Sequence, residues 1–195
     1  AYSFYRNRPF YNSNDIREEH IMINMEFLES ILFDGFFAAI AAIGFSVISN
    51  PPRRAILYAA LLAAIGHSIR FTLMHFSIDL TTASFISSFC IGLLSIFMGK
   101  HIHCPATVLY IPALLPMIPG MYAYRTILSL IQFLQSTDDG MTIKYLLGIF
   151  KNGLTTLTVL FVLAVGATMP LFIFYKRAFE MTRNASPANQ KKKNR

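Results

Sequence analysis

The sequence has no tryptophan, only two cysteines and few charged residues, since Asp, Glu, Lys and Arg together make up 14% of its 195 positions. Cys90 lies within an apolar run and Cys104 at the start of another, so they form neither a disulfide framework nor a zinc signature. Regular alternation of polar and apolar positions, which a soluble domain of this length needs, is also missing. These absences argue against a sizeable soluble domain.

Long apolar runs take the place of that alternation. Hydrophobic residues make up 54% of the chain, 18 of them phenylalanine, and the mean hydropathy is +0.49. Runs of about 18 or more apolar residues are typical of membrane-spanning helices. We therefore predict an all-α integral membrane protein with about five transmembrane helices, at residues 27–49, 55–76, 81–99, 106–135 and 145–175.

The predicted spans divide the chain into three parts. A polar N-terminal segment covers residues 1–26, a transmembrane domain residues 27–175, and a basic tail residues 176–195. The last apolar region has 31 residues, which is about 46 Å as a helix and longer than a hydrocarbon core of about 30 Å. It is expected to be tilted, bent near Gly166 or Pro170, or preceded by an interfacial turn. We expect no cleavable signal peptide, because the first apolar run comes late and is too long.

Lysine and arginine are distributed unevenly between the two sides of the predicted membrane domain. The connections at 50–54 and 100–105 and the C-terminal tail hold ten of these cations, against four on the other side. By the positive-inside rule the C-terminus is cytoplasmic and the N-terminus lies outside. The basic tail is therefore expected to contact anionic lipid, and we expect no nucleic-acid partner because the tail lacks interleaved aromatic residues.

The fourth predicted span is interrupted by the stretch LYIPALLPMIPGMYAYR at residues 109–125, which contains Pro116, Pro119 and Gly120. If the chain enters the membrane at Pro105, the break lies roughly 17–22 Å deep, close to the midplane. Irregular backbone at that depth is tolerated only where protein covers it or it lines a cavity. A simple proline kink is one account. A broken helix that directs its positive N-terminal end, with Tyr124 and Arg125, at an anionic substrate is the other.

Charged residues inside the second span point to the same function. His67 and Arg70 are one helical turn apart near the middle of that span, and Asp34 lies in the first span. A charge at mid-membrane costs about 2.5–3.5 kcal/mol and needs a partner or a wet cavity. A structural ion pair between Arg70 and Asp34 is one interpretation. Binding of a substrate carboxylate by Arg70 together with Arg125 is the other.

The last span adds polar side chains. Asn152, Thr155 and Thr156 lie on one face at helical spacing, where they either form interhelical hydrogen bonds or contact a ligand. The loop at 101–104, His-Ile-His-Cys, has residue types that bind metals but no further ligands, so we predict no metal site. We also predict no catalytic residues and no cofactor, because the sequence has no nucleophile–base pair and no phosphate-binding loop.

Two motifs resemble the threonine/serine exporter family. They are FAAIAAIGFSVISNPPRRAILYAALLAAIGHSIRFTLM and, further on, ALLPMIPGMYAYRTILS, and the resemblance covers roughly residues 28–177. It is closest to the small, membrane-only subunit of the YjjB type. The positions that match this type are Asp34, Gly66, His67, Arg70, Pro116, Pro119, Gly120, Tyr124 and Asn152. Arg125 and residues 1–25 are not part of the family pattern.

The resemblance implies a subunit of a secondary transporter in the bacterial inner membrane. Such a subunit exports small carboxylates, either threonine and serine or succinate, together with a larger membrane subunit of the same family. A homo-oligomer is a further arrangement that the sequence leaves open. Two alternatives from other classes remain: a structural membrane subunit that transports nothing, and an intramembrane enzyme that uses His67 as a base.

Overall fold

A computed structural model describes residues 13–49 and 51–174, with side chains from residue 25 onward. The predictions for residues 1–12 and for the tail beyond 174 lie outside the described residues. The described chain forms helices and loops only, which confirms the all-α prediction. The helices are α1 (Ser13–Ile48), α2 (Arg53–His75), α3 (Leu80–Ile102), α4 (Ala106–Leu114), α5 (Gly120–Gln135) and α6 (Asp139–Ile173).

Four helices contain segments long and apolar enough to cross a membrane on their own, and the bent pair α4–α5 brings the number to five if it counts as one span. The apolar part of α1 begins at Met25, two residues before the predicted start, and the helix itself extends back to Ser13. Residues 139–144 already belong to α6, so no separate interfacial turn precedes the last span. At about 1.5 Å per residue α6 is roughly 52 Å long.

Small residues allow α3 and α6 to pack closely. Ser84, Ser88 and Gly92 recur every four residues of α3 and are buried. A Cβ atom added at Gly92 would overlap the backbone of Ala167 in α6, with 3.0 Å to the Ala167 carbonyl carbon. Helices without a hydrophobic driving force between them associate through such close contacts, so this face fixes α6 against the rest of the bundle.

The predicted break in the fourth span is present. Leu115–Met117 form one turn of 3₁₀ helix after α4, and the axis bends by 53° before α5 begins. Pro119 has φ −78° and ψ 68°, and the Gly120 N–H donates to the Ile118 carbonyl at 2.8 Å. These values define an inverse γ-turn. Pro116 and Pro119 have no backbone N–H to donate to a continuous helix, and the γ-turn at Pro119 changes the direction of the helix axis.

The two halves of the broken span have different surroundings. α4 packs among α1, α2 and α3, whereas α5 packs mainly against the first half of α6. Several α4 side chains are buried, but α5 has no buried residue. The second half of α6 packs against α3, where the Ser88 hydroxyl donates to the Val162 carbonyl at 3.3 Å and a Cβ atom at Gly166 would overlap Ser88 Oγ. Helix α5 and residues 139–156 of α6 therefore form a helical arm on the α1–α4 bundle.

Candidate functional site

The first candidate group is a carboxylate–imidazole pair between α1 and α2. Asp34 Oδ2 lies 3.1 Å from His67 Nδ1. The two helices approach closely here, because a Cβ atom at Gly35 would lie 3.0 Å from Ser68 Oγ. The His67 side chain is buried and the Asp34 side chain is 37% exposed. Among the described residues the Asp34 carboxylate is paired with His67, and no ion pair between Asp34 and Arg70 is recorded.

The other ring nitrogen of His67 points into the protein. His67 Nε2 is buried and has no hydrogen-bond partner. The Pro116 carbonyl at the break is close enough to interact with the ring, without satisfying hydrogen-bond geometry at Nε2. The hydrogen bond that His67 Nδ1–H donates to the Asp34 carboxylate fixes the ring orientation, so Nε2 is left available for a ligand or a water between α2 and the break.

Arg70 connects α2 to the break directly. Its Nη1 donates to the Met117 carbonyl at 2.7 Å. In a continuous helix this carbonyl would accept from the amide of residue 121, but the bend removes that donor. The carbonyl also lies at the C-terminal end of α4 and its 3₁₀ turn, where the helix dipole favours a cation. The Arg70 guanidinium, whose burial in a membrane is unfavourable, thus donates to the Met117 carbonyl, whose burial without a hydrogen bond would also be unfavourable.

The N-terminal end of α5 offers little to an anion. The Gly120 amide is used in the γ-turn, and the amides of Tyr122 and Ala123 both donate to the Pro119 carbonyl. Among the described backbone groups only the Met121 amide of this first turn has no recorded acceptor. The N-terminal end of α5, which one interpretation of the sequence directs at an anionic substrate, therefore has one free backbone donor in its first turn, the Met121 amide. The atom of the break that contacts the polar group of Asp34, His67 and Arg70 is the Met117 carbonyl oxygen, through Arg70.

Several predicted site residues lie away from this group. Tyr124 is 61% exposed, Arg125 is exposed, and a Cβ atom at Gly120 would meet no atom within 4 Å. All three belong to α5, whose main contact is α6 rather than α2. The structure thus joins Asp34, His67, Arg70 and Pro116, and it does not bring Arg125 to Arg70.

The polar side chains of Asn152, Thr155 and Thr156 form their hydrogen bonds within α6 itself. Asn152 Nδ2 donates to the Gly148 carbonyl at 2.8 Å, and the hydroxyls of Thr155 and Thr156 donate to the carbonyls of Lys151 and Asn152. These bonds run back one turn within the same helix, so they are not the interhelical bonds that the pattern predicts. Asn152 and Thr156 remain partly buried in the arm.

The Met117 carbonyl is the functional group that the sequence pattern missed. A backbone acceptor is not marked by residue type, and Met117 itself is an apolar residue with a fully buried side chain. The signal available was indirect: Pro116 and Pro119 flank Met117, and a break between two prolines leaves carbonyls without amide donors. An intramembrane arginine one helix away supplies the donors that such carbonyls need.

A family model described as threonine/serine exporter, ThrE, matches residues 34–173. The chain belongs to the threonine/serine exporter family. The match begins at Asp34 and includes every residue of the candidate group and the whole arm. The resemblance stated from the two motifs is confirmed at the level of the family.

A curated relative and the solved structures add two facts. An uncharacterized protein of Haemophilus influenzae (strain Rd) is 30% identical over 151 residues, which is 77% of this chain and 50% of that protein. The chain thus spans about half the length of that relative. No solved structure matches.

Proposed function

We propose that this chain is one part of a secondary transporter that exports small carboxylates from the bacterial cytoplasm across the inner membrane, and that a larger membrane subunit of the same family supplies the other part. The observation that carries the proposal is the Arg70–Met117 hydrogen bond beside the Asp34–His67 pair. Arginine has five N–H donors in a planar fork, and the recorded hydrogen bonds of the described residues use one. The remaining donors suit a carboxylate bound through both oxygens.

The charges of the group favour an amino acid over a dicarboxylate. Arg70 contributes one positive charge and Asp34 one negative charge, so with neutral His67 the group sums to zero. A zwitterion such as threonine or serine matches this arrangement: Arg70 takes the carboxylate, Asp34 the ammonium and His67 Nε2 the hydroxyl. Succinate would bring a second carboxylate toward Asp34, and like charges at low dielectric repel strongly.

Binding at Arg70 also suggests how the substrate moves the protein. A carboxylate that takes over the guanidinium competes with the Met117 carbonyl for the same donors. Release of that carbonyl weakens the contact between α2 and the end of α4, so the broken span gains freedom to shift. A ligand changes a conformational equilibrium only through contacts that differ between two states, and the Arg70–Met117 bond is such a contact.

Transport of radiolabelled threonine and succinate into inverted vesicles tests the proposal, with and without the larger subunit. We expect Arg70→Ala to abolish threonine transport while the protein still inserts. Asp34→Asn should not rescue Arg70→Ala, because the recorded partner of Asp34 is His67.

Substrate choice gives a sharper result. Asp34→Asn alone should reduce the rate of threonine transport. It should also lower the ratio of threonine to succinate transport, since the variant loses the negative charge that repels a dicarboxylate. Gly44→Ala is the matched control, because a Cβ atom there meets nothing within 4 Å. Full threonine transport by Arg70→Ala would contradict the site, and no transport by the wild type with the subunit would favour the structural role.

A further inference from the structure

One stripe of the arm carries a charge that the described chain does not balance. Met121, Tyr124, Arg125 and Leu128 recur at i, i+3, i+4 and i+7 on α5 and are all exposed. We call them the Arg125 stripe. The face of α5 toward α6 is a different one, where Thr126 and Ser129 approach Gly153 and Gly148. No described carboxylate forms an ion pair with Arg125, since the recorded ion pair joins Asp34 and His67.

Arg125 is poorly placed to reach the membrane surface. It precedes the end of α5 at Gln135 by ten residues, or about 15 Å. Helical side chains lean toward the N-terminus of their helix, and the N-terminus of α5 is the break inside the span. Arg125 therefore leans deeper into the membrane. Lys151 on α6 is also exposed and lies about 18 Å from the start of that helix, but α6 begins at the polar turn, so the Lys151 side chain leans toward the surface and not away from it.

We propose that the Arg125 stripe docks a transmembrane helix of a partner subunit, and that this helix carries a glutamate or aspartate at the level of Arg125. The inference rests on the proposed two-part transporter and names its contact surface. Tyrosine and arginine, which the stripe presents at Tyr124 and Arg125, are enriched among the residues that contribute most of the binding energy of protein interfaces. In the Haemophilus influenzae relative the 151 matched residues make up 50% of the chain. The matched region is therefore joined there to a further segment of similar length.

A second copy of this chain is a poorer occupant. Its carboxylates within the described apolar part of α1 include Glu29 and Asp34, and Asp34 is held by His67. Glu29 lies four residues from Met25, or about 6 Å from the start of the span, whereas Arg125 lies about 15 Å from the end of α5. The depths of Glu29 and Arg125 do not match, and Glu26 lies closer still to the start of the span, which favours an acid from another sequence.

The test uses designed transmembrane peptides as probes. One is a leucine–alanine peptide of about 23 residues with a single central glutamate, and its matched control carries glutamine. Energy transfer from a donor dye on an introduced cysteine at position 136 of the full chain measures binding in lipid vesicles. We expect the glutamate peptide to bind at least 10-fold more tightly than the glutamine peptide, and Arg125→Leu to remove that difference. Lys151→Leu should leave it unchanged.

The contrary outcomes are specific. Equal binding of the two peptides, or a difference that survives Arg125→Leu, overturns the inference. Self-association of the chain that Arg125→Leu abolishes makes the occupant a second copy and also overturns it. A charge swap guards against misfolding, because Arg125→Glu should bind a lysine peptide in preference to the glutamate peptide. If the wild-type chain binds the glutamate peptide but transports nothing together with the larger subunit, the proposed function is contradicted. The docking surface proposed here would still stand.

Discussion

Straightening the broken span is the most informative perturbation of this protein. In the double variant Pro119→Ala and Gly120→Ala, helix propensity favours a continuous helix by about 3 kcal/mol for the proline and about 1 kcal/mol for the glycine. The joined helix would give the Met117 carbonyl an amide donor at Met121, in place of Arg70. The lost bond to a charged group opposes this by about 1.5–3 kcal/mol. The balance favours straightening, and Arg70 would lose its recorded acceptor.

The change in geometry is large enough to measure. Thr107 and Leu134 are exposed near the outer ends of α4 and α5, about 18 Å and about 22 Å from the break at 1.5 Å per residue. With the 53° bend, spin labels on these residues are separated along the backbone by roughly 36 Å, and without it by roughly 40 Å. Pulsed electron resonance in vesicles should therefore show a lengthening of about 4 Å in the double variant.

Transport by the same variant completes the test. We expect straightened protein to insert normally and to fail in threonine export. Pro112→Ala is the control, because Pro112 lies inside α4 and not at the bend, so the label distance should stay at the wild-type value. An unchanged distance in the double variant would mean that packing of α4 and α5 sets the bend. A lengthened distance with normal export would show that the broken geometry is not needed for transport.

Three further predictions follow from other parts of the structure. Cysteines introduced at Ser77 and Ser136 should react with an impermeant thiol reagent from outside the cell, and one at Ser186 should not. Reaction at 186 in intact cells would reverse the orientation. Gly92→Ala should lower the free energy of unfolding in mixed detergent by about 1–3 kcal/mol, because the α3 and α6 backbones must separate, and the control Gly44→Ala should leave it unchanged or slightly higher. The Asp79 carboxylate accepts from the Thr82 amide at 2.9 Å, which lowers the pKa of Asp79; its stabilisation is therefore complete above the ordinary aspartate pKa of about 4 and is lost as pH falls through the lower folded value, so circular dichroism across pH should show this loss in the wild type and not in Asp79→Ala.

Sequence patterns predicted the spans well because membrane insertion imposes a strong length and composition signal. The predicted first span starts two residues from the apolar boundary at Met25, and the break falls where Pro116 and Pro119 place it. The extent of α1 back to Ser13 was missed, since polar residues carry no signal for a helix that continues beyond the apolar core. The serine and glycine repeat of α3 was present in the sequence, and its spacing of four would have predicted the α6 contact.

The sequence pointed to Asp34, His67 and Arg70 as members of one polar group, but it did not give their hydrogen-bond partners. Helical spacing places His67 and Arg70 on one face of α2, and it does not decide which of them reaches α1 and which reaches α4. That choice depends on how the helices pack around Gly35 and on the direction of the break, both of which are tertiary features. Arg125 was placed with Arg70 because both lie near the same predicted depth, but depth does not fix the direction of a side chain around its helix.

The break and the arginine explain each other in energetic terms. An arginine at mid-membrane costs about 2.5–3.5 kcal/mol, and a carbonyl without a donor in an apolar environment costs about 1–3 kcal/mol. The hydrogen bond from Arg70 to Met117 offsets both costs at once. Removal of either partner leaves the other exposed to its full cost, so both features are stable only together. In the proposed function a substrate carboxylate would be a third group that satisfies Arg70, and the Met117 carbonyl would then need another donor. The Met121 amide across the bend has no recorded acceptor among the described residues and is the donor that a continuous helix would supply, so a bond between the two would straighten the span. In the proposed transporter a break held by an arginine would therefore couple occupancy of the site to the shape of the span, which a permanently continuous helix would not allow.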